Sequence, residues 1–580
     1  MNTSPPQQLV KAAMQLHQAG EFEKAKALYL QVLSSQPTHP DALHLYGLAC
    51  HQQGDHETAV KYIRKAVEQV PDQPVLRNNL GDALHRTGEL EEAIVQLNIA
   101  LDLRPGYAGA HQNLGSVYAD SGEHEAALRH ARKAVKFNEN HPEAWFNLGL
   151  ALLDHVLLEE AVDAFRRAVL LRPDYPVAVT GLLYTLNLVP GADPIEVAGE
   201  HHRVATAAFG RAPLSPPASK AESPLRIGYV SGDFCAHAVN YFFEPVLEQH
   251  DRSVFEIYCY SDVRRPDRVT GRLKQSAQHW RDMTGSTDES FLAQVKEDRI
   301  DILVDLAGYT KHNRMAVFAH RAAPIQLSWL GFPNTTGLEA MDFRIVDTYT
   351  IAESEASADT ETRIRLPQGF ACFRPPAHAP PVQLSAAQKN GYVTLGCLHK
   401  LEKLNPAVLE LWARLLQQNP TSRLLLARDQ LDSWQQQRLL LHFEQYDIGP
   451  DRLNMIELSD PGQSFFELFA DIDIQLDTFP WSGHTLACCA LWMGVPVVSL
   501  YGSSHAGRMV ASVLKLLDLD ELVAQGSDAY CEIVHALCED QGRLDLYRRE
   551  LRGRFKQSPL CDEKGFTKTL EAGYLRISGS

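Results

Sequence analysis

Shifted against itself by 34 residues, the first third of the chain falls into register. Gly47, Gly81, Gly115 and Gly149 share one phase, and Gly20, Gly54, Gly88 and Gly122 a second. Ala25, Ala59, Ala93, Ala127 and Ala161 share a third. Pro37, Pro71, Pro105 and Pro173 close successive units, with Glu139 in the fourth place. Two antiparallel helices approach closely only where Gly or Ala removes a side chain, and proline ends the second helix of a pair. A segment built this way must stack helix pairs rather than wrap one globular core.

A period of 34 with these small residues and a terminal proline is the tetratricopeptide signature. Five repeats over about residues 8–177 predict a right-handed superhelix with a concave groove. Asn79, Asn113 and Asn147 recur two positions before the phased glycine, in NNLG, QNLG and FNLG. They read either as consensus usage on a first helix or as a ladder of amides able to hold an extended peptide backbone. The array reads as a surface for polypeptide.

Beyond 190-PGADP the texture changes. Residues 195–210 are helical in pattern, and 211-RAPLSPPASKAES-223 reads as a linker. Short β-rich runs then alternate with helical stretches: LRIGYV (225–230), FEIYCY (255–260), DILVDL (301–306), PIQLSWL (324–330) and FRIVD (343–347). After the proline-rich 374–388 come YVTLGCL (392–398), SRLLLA (422–427), NMIEL (454–458), IDIQLD (472–477) and PVVSL (496–500). Such alternation means parallel sheets covered by helices. The expected class is α plus α/β, a repeat array followed by two Rossmann-like lobes facing across a cleft. The boundaries drawn are 1–190 for the array with its capping helices, 191–223 for a helical linker, 224–380 and 390–580 for the lobes.

Ligands bind such sheets beyond the carboxyl ends of strands, so the loops there carry the candidates. His237 follows the first strand in 231-SGDFCAH-237, as a structural histidine or one that handles a proton at neutral pH. Lys311 and Arg314, in 307-AGYTKHNR-314, suit a phosphate or a solvated surface. In 331-GFPNTTG-337 a tight turn begins at Gly331, where bare backbone can approach a ligand. In 399-HKLEKLNP-406, Lys400 and Lys403 precede a helix capped by Asn405 and opened by Pro406. In FPWSGHT, Gly483, His484 and Thr485 open an apolar helix, where free N–H groups form a cradle for a diphosphate. Asp471-Ile-Asp473 and Asp518-Leu-Asp520 match a DxD metal pattern only lexically. No His/Cys/Asp cluster has metal-ligand spacing and no GxxxxGK[ST] loop exists, so a metal-independent site is expected.

A formal charge of −17 argues against a general nucleic-acid binder. The ten cysteines form no CxxC pair, and the N-terminus shows no signal peptide. The most apolar window, 486–501, is interrupted by Gly494 and Pro496 and is too short for a membrane span. A reducing, cytoplasmic setting without membrane contact is the expectation.

The repeat array together with RIGYVSGDFCAH, AGYTKHNR, APIQLSWLGFPNTTG, KLNP and GHT before an apolar helix resembles the protein O-linked N-acetylglucosamine transferases, over about residues 8–560. That resemblance implies an inverting glycosyltransferase of the GT-B fold. UDP-N-acetylglucosamine would be its donor, and Ser/Thr hydroxyls of intracellular proteins its acceptors. By the same resemblance His237 matches the active-site histidine, Lys403 the lysine on the donor diphosphate and Lys311 a further cleft lysine. Leu330 and Gly331 match the turn beside the sugar, and His484 and Thr485 the nucleotide and phosphate contacts.

The chain departs from that pattern in places. Cys489 stands where animal members carry an aspartate on the donor's ribose, and 459-SDPGQSFF-466 lacks their lysine and histidine around the base. The long insert between the lobes is missing. SPINDLY-type enzymes, similar in architecture, transfer fucose from a GDP donor. Protein O-fucosylation from GDP-fucose, or a degenerate nucleotide-binding repeat scaffold without catalysis, are the alternatives.

Overall fold

A computed structural model of the chain describes residues 6–210, 224–351, 358–377, 379–458 and 465–579. The linker read at 211–223 and most of the segment 459–466, compared above with the base contacts of animal relatives, lie outside the described residues. Contacts divide the chain into two compact units, 1–155 with 163–171 and 156–162 with 172–580.

The first unit is a tetratricopeptide array. Helix pairs Pro6–Gln18 and Phe22–Ser35, Pro40–Gln52 and His56–Gln69, Pro74–Thr87 and Leu90–Leu103, Ala108–Asp120 and His124–Phe137 follow in order, then Pro142–Asp154 and Leu158–Leu171. The three phases do different work. A Cβ on Gly47, Gly81 or Gly149 would fall 2.7, 2.5 and 2.5 Å from Ile63, Leu97 and Phe165, so glycine sets the contact between the two helices of a pair. Gly54, Gly88 and Gly122 have φ of 85°, 84° and 79° and turn the chain between those helices. Ala25, Ala59, Ala93 and Ala161 are wholly buried.

The asparagines tie neighbouring repeats together. Asn79 Nδ2 lies 2.8 Å from His44 Nε2, Asn113 Nδ2 donates to Asn78 Oδ1 at 3.0 Å, and Asn147 Nδ2 donates to Ser116 Oγ at 3.2 Å. Replacing Asn113 with alanine leaves the Asn78 carbonyl without this donor. Asn113→Ala is therefore expected to destabilise the array by about 1 kcal/mol, read from thermal or urea unfolding.

The second unit holds two parallel sheets. The strands are β1 (Leu225–Ser231), β2 (Phe255–Ser261), β3 (His279–Asp282), β4 (Ile302–Asp305), β5 (Ile325–Ser328), β6 (Phe343–Asp347) and β7 (Thr362–Leu366) in the first lobe. The second lobe has β8 (Thr394–Cys397), β9 (Arg423–Arg428), β10 (Leu453–Glu457), β11 (Ile474–Leu476), β12 (Val497–Leu500) and β13 (Val523–Ala524). The orders are β3-β2-β1-β4-β5-β6-β7 and β10-β9-β8-β11-β12-β13. Every pairing is parallel. Both orders are doubly wound and reverse beside their first strand, as in dinucleotide-binding folds. The fold class is the one expected: a tetratricopeptide array and two Rossmann-like lobes.

The chain crosses between lobes twice. It leaves the first lobe through 367–385, and the helix Glu563–Ser578 returns to it, where Tyr574 Oη lies 3.2 Å from Tyr229 Oη and Glu571 Oε1 2.9 Å from His250 Nδ1. The crossings are laced together. Phe373 N–H donates to the Leu560 carbonyl at 2.6 Å, and Arg374 Nε donates to Glu563 Oε1 at 2.7 Å. All ten cysteines are unpaired thiols. Among the described residues no helix is long and apolar enough to cross a membrane.

Candidate active site

The sheet orders put both switch points where the sequence placed its candidates. In the first lobe the switch lies between β1 and β4, whose loops carry His237 and Lys311. In the second it lies between β8 and β11, whose loops carry Lys403 and Gly483-His484-Thr485. Leu330 and Gly331 follow β5, beside β4.

Strand-end carboxylates shape these loops. Asp305, buried at the end of β4, accepts N–H bonds from Ala307 at 3.1 Å and Gly308 at 2.7 Å. Burial nevertheless pushes its pKa up to about 7. Asp477, buried just beyond β11, accepts from Gly483 N–H at 2.8 Å and Ser499 Oγ at 2.5 Å. His399 Nε2 stands 3.4 Å from the same carboxylate. The His399 ring presses on Gly483 so closely that a Cβ there would fall 1.8 Å from Cε1. Glycine at 483 is therefore a matter of contact. The helix that follows, His484–Trp492, has no side-chain cap, so its first N–H groups remain open to a ligand.

His484 lies between aromatic rings of the first lobe, 4.8 Å from Phe242 and 4.7 Å from Phe370, centroid to centroid. Burial pulls its pKa down to about 3, so the imidazole is neutral and meets an anion as a hydrogen-bonding group, not as a cation. Lys403 Nζ donates to the Ser482 carbonyl at 3.1 Å and stands 4.9 Å above the Trp481 ring. Burial lowers its pKa to about 8, against the pull of Asp477 and Glu402. Lys403 has no carboxylate within ion-pair distance among the described residues. With one N–H given to Ser482, its ammonium keeps others for an anion.

Half of the His237 side chain is open (49%), yet the protein packed around it displaces enough water to hold its pKa below the ordinary imidazole value. Asp233, 3.8 Å away, opposes that shift, and Lys400 from the other lobe adds to it. Lys400, three residues before Lys403, lies near enough to act on His237, and Phe242, five residues past His237, packs on His484. Lys311 is exposed on the next loop, whose His312 backbone touches Gly232 of the His237 loop. At the turn after β5, Leu330 adopts φ 67°, the left-handed region a leucine seldom takes. Gly331 lies so near the β4 loop that a Cβ would fall 2.0 Å from the Leu306 carbonyl oxygen. The bare backbone at this turn approaches the chain itself.

Three features escaped the sequence reading. Asp305 closes the apolar Ile302-Leu303-Val304 and Asp477 ends IDIQLD, and an aspartate recurring at the strand end was a usable signal. Trp481, the platform under Lys403, was hidden inside FPWSGHT, and Tyr184 lies far away in sequence. Of the DxD look-alikes, Asp473 accepts backbone N–H bonds from Thr394 and Ala387. Among the described residues no cluster of three His, Cys, Asp or Glu side chains is placed to hold a metal.

The model of glycosyl transferase family 41 matches residues 205–372 and 389–570, and tetratricopeptide models match 10–74, 81–122 and 113–176. A solved O-GlcNAc transferase mutant from Thermobaculum terrenum is similar at 33% identity and TM-score 0.77, covering 87% of this chain and 97% of that one. The "Probable UDP-N-acetylglucosamine--peptide N-acetylglucosaminyltransferase SPINDLY" of Solanum lycopersicum is 38% identical over 359 residues, 61% of this chain and 38% of its own length. The UDP-N-acetylglucosamine--peptide N-acetylglucosaminyltransferase of Caenorhabditis elegans is 23% identical over 463 residues, 60% of this chain and 40% of its own. The chain spans about two fifths of the length of these curated relatives.

Proposed function

Since the chain belongs to glycosyl transferase family 41, we propose that it is an inverting, metal-independent GT-B enzyme. In this reading it transfers N-acetylglucosamine from UDP-N-acetylglucosamine to Ser/Thr hydroxyls of polypeptides. The names of the tomato and nematode relatives carry that sugar donor. One observation carries the reading: an ammonium without a carboxylate partner among the described residues, Lys403, stands beside the uncapped helix start at His484, and the neighbouring Lys400 acts on His237 of the other lobe.

The acceptor oxygen bonds to the anomeric carbon as the bond to the nucleoside diphosphate breaks on the opposite face, and the hydroxyl proton passes to water. Lys403 and the N–H groups at His484 and Thr485 receive the charge that develops on the leaving oxygens. Leu330 and Gly331 shape the turn beside the sugar, and Lys311 adds positive charge at the rim. Val239 N–H donates to His237 Nδ1 at 3.4 Å, which leaves the neutral ring's proton on Nε2. His237 therefore offers a donor that orients donor sugar and acceptor, rather than a base for the hydroxyl proton. Asn79, Asn113 and Asn147 keep a second amide N–H each for an acceptor backbone.

A second reading, fucose from GDP-fucose, is favoured by Cys489. This thiol is fully buried where a ribose-binding aspartate is expected, and the SPINDLY relative is the more similar of the two quoted. Calorimetry with UDP, GDP and their sugars, then mass spectrometry of peptides incubated with the bound donor, decides. UDP-N-acetylglucosamine binding with a HexNAc mass added to peptide is the expected result. A deoxyhexose mass from GDP-fucose selects the second reading, and binding without transfer selects the scaffold. Failure of every nucleotide to bind refutes all three.

A further inference from the structure

The helix Pro176–Leu186 clusters with the two-sheet unit and presents Thr180, Tyr184 and, just past its end, Asn187, at i, i+4 and i+7 on one stripe. Each reaches a different strand-end loop. Asn313 Nδ2 donates to Thr180 Oγ1 at 2.9 Å after β4, and Asn334 Nδ2 donates to Asn187 Oδ1 at 2.8 Å after β5. Tyr184 Oη donates to Glu402 Oε1 at 2.9 Å after β8. One helix therefore holds loops of both sheets.

Tyr184 is the member nearest Lys403. Its ring packs 5.0 Å from Trp481, the platform 4.9 Å beneath the Lys403 ammonium. Its hydroxyl engages the carboxylate of Glu402, the residue next to Lys403, at the oxygen that Lys400 Nζ also faces at 3.6 Å, and Lys400 Nζ stands 3.5 Å from the hydroxyl itself, so Tyr184 and Lys400 hold that carboxylate together. A carboxylate so close to a half-buried ammonium would normally pair with it, and a paired lysine has less to offer a phosphate. Burial and Glu402 hold the phenol well above its ordinary pKa, so it remains a donor.

We infer that Tyr184 is a positioning residue for Lys403, holding the Glu402 carboxylate off the ammonium and the Trp481 ring beneath it. The inference rests on Lys403 acting as the diphosphate contact.

Tyr184→Phe removes the hydroxyl and keeps the ring. In the ligand-free full chain, pH-dependent acetylation of Lys403 followed by mass spectrometry reports when its amine becomes free. The midpoint, near 8 in the native chain, is expected to move up by about one pH unit in Tyr184→Phe, as the released carboxylate pairs with the ammonium. UDP and GDP affinity falls about tenfold alongside. In a Glu402→Gln background there is no carboxylate to release, and Tyr184→Phe leaves the midpoint unmoved. A midpoint unchanged by Tyr184→Phe alone, or a shift that persists beside Glu402→Gln, overturns the inference. If the native chain binds neither UDP nor GDP, the proposed function fails, while the labelling result still decides the role of Tyr184.

Discussion

Lys403→Met is expected to lower transfer by roughly 10²–10³ and to stabilise the fold. The two halves of that outcome share one cause. Burial disfavours the ammonium, and its pKa falls from 10.5 to about 8. The remaining charge is available because no carboxylate pairs with it among the described residues. Loss of a preorganised cation at the leaving group lowers turnover by roughly 10²–10³. Methionine keeps the stem's packing against Trp481 and removes the cost of a buried charge, about 1 kcal/mol or more. In the native chain, the unfolded state holds the extra proton between about 8 and 10.5, so stability rises with pH across that window. Lys403→Met flattens that rise, and native turnover falls above about 8 as the ammonium deprotonates. Peptide glycosylation assays with melting curves at pH 7 and 9.5 check both halves. A folded Lys403→Met that turns over normally removes Lys403 from the mechanism.

Gly483→Ala is expected to cost about 100-fold in nucleotide affinity and up to about 3 kcal/mol of stability. The added methyl would fall 1.8 Å from Cε1 of His399, a buried ring fixed near Asp477. Either the ring leaves Asp477 or the turn carrying His484 and Thr485 moves away, and both outcomes spoil the helix start. Combining Gly483→Ala with His399→Ala makes room for the methyl and recovers part of the stability. Calorimetry with UDP and GDP, set beside thermal melts, reads both quantities. Native affinity in the single variant would mean that the helix start does not meet the nucleotide.

Periodicity made the array legible, because small residues at 34-residue spacing have one steric explanation. Apolar runs exposed the interior strands. The strands that escaped, β3 (HWRD), β7 (TRIRL) and the two-residue β13, are all sheet edges. An edge strand has one neighbour and one sheltered face at most, so its composition is too polar to stand out. Candidate positions were legible for a topological reason, since strand ends at a switch point are where ligands bind. What holds those positions was not. Tyr184 and Glu402 are 218 residues apart, and no local pattern encodes such a pair. The GHT turn was readable as the start of an apolar helix, whereas the neutrality of His484 follows only from its burial between Phe242 and Phe370.

The double passage of the chain between the lobes has a mechanical consequence. Two covalent tethers, stitched side by side through Phe373, Leu560, Arg374 and Glu563, define an axle. A change of angle between the lobes would bend both tethers together, whereas sliding one past the other would break the Phe373–Leu560 and Arg374–Glu563 bonds. Cutting the chain before Glu563 would leave a single pivot and a wandering page.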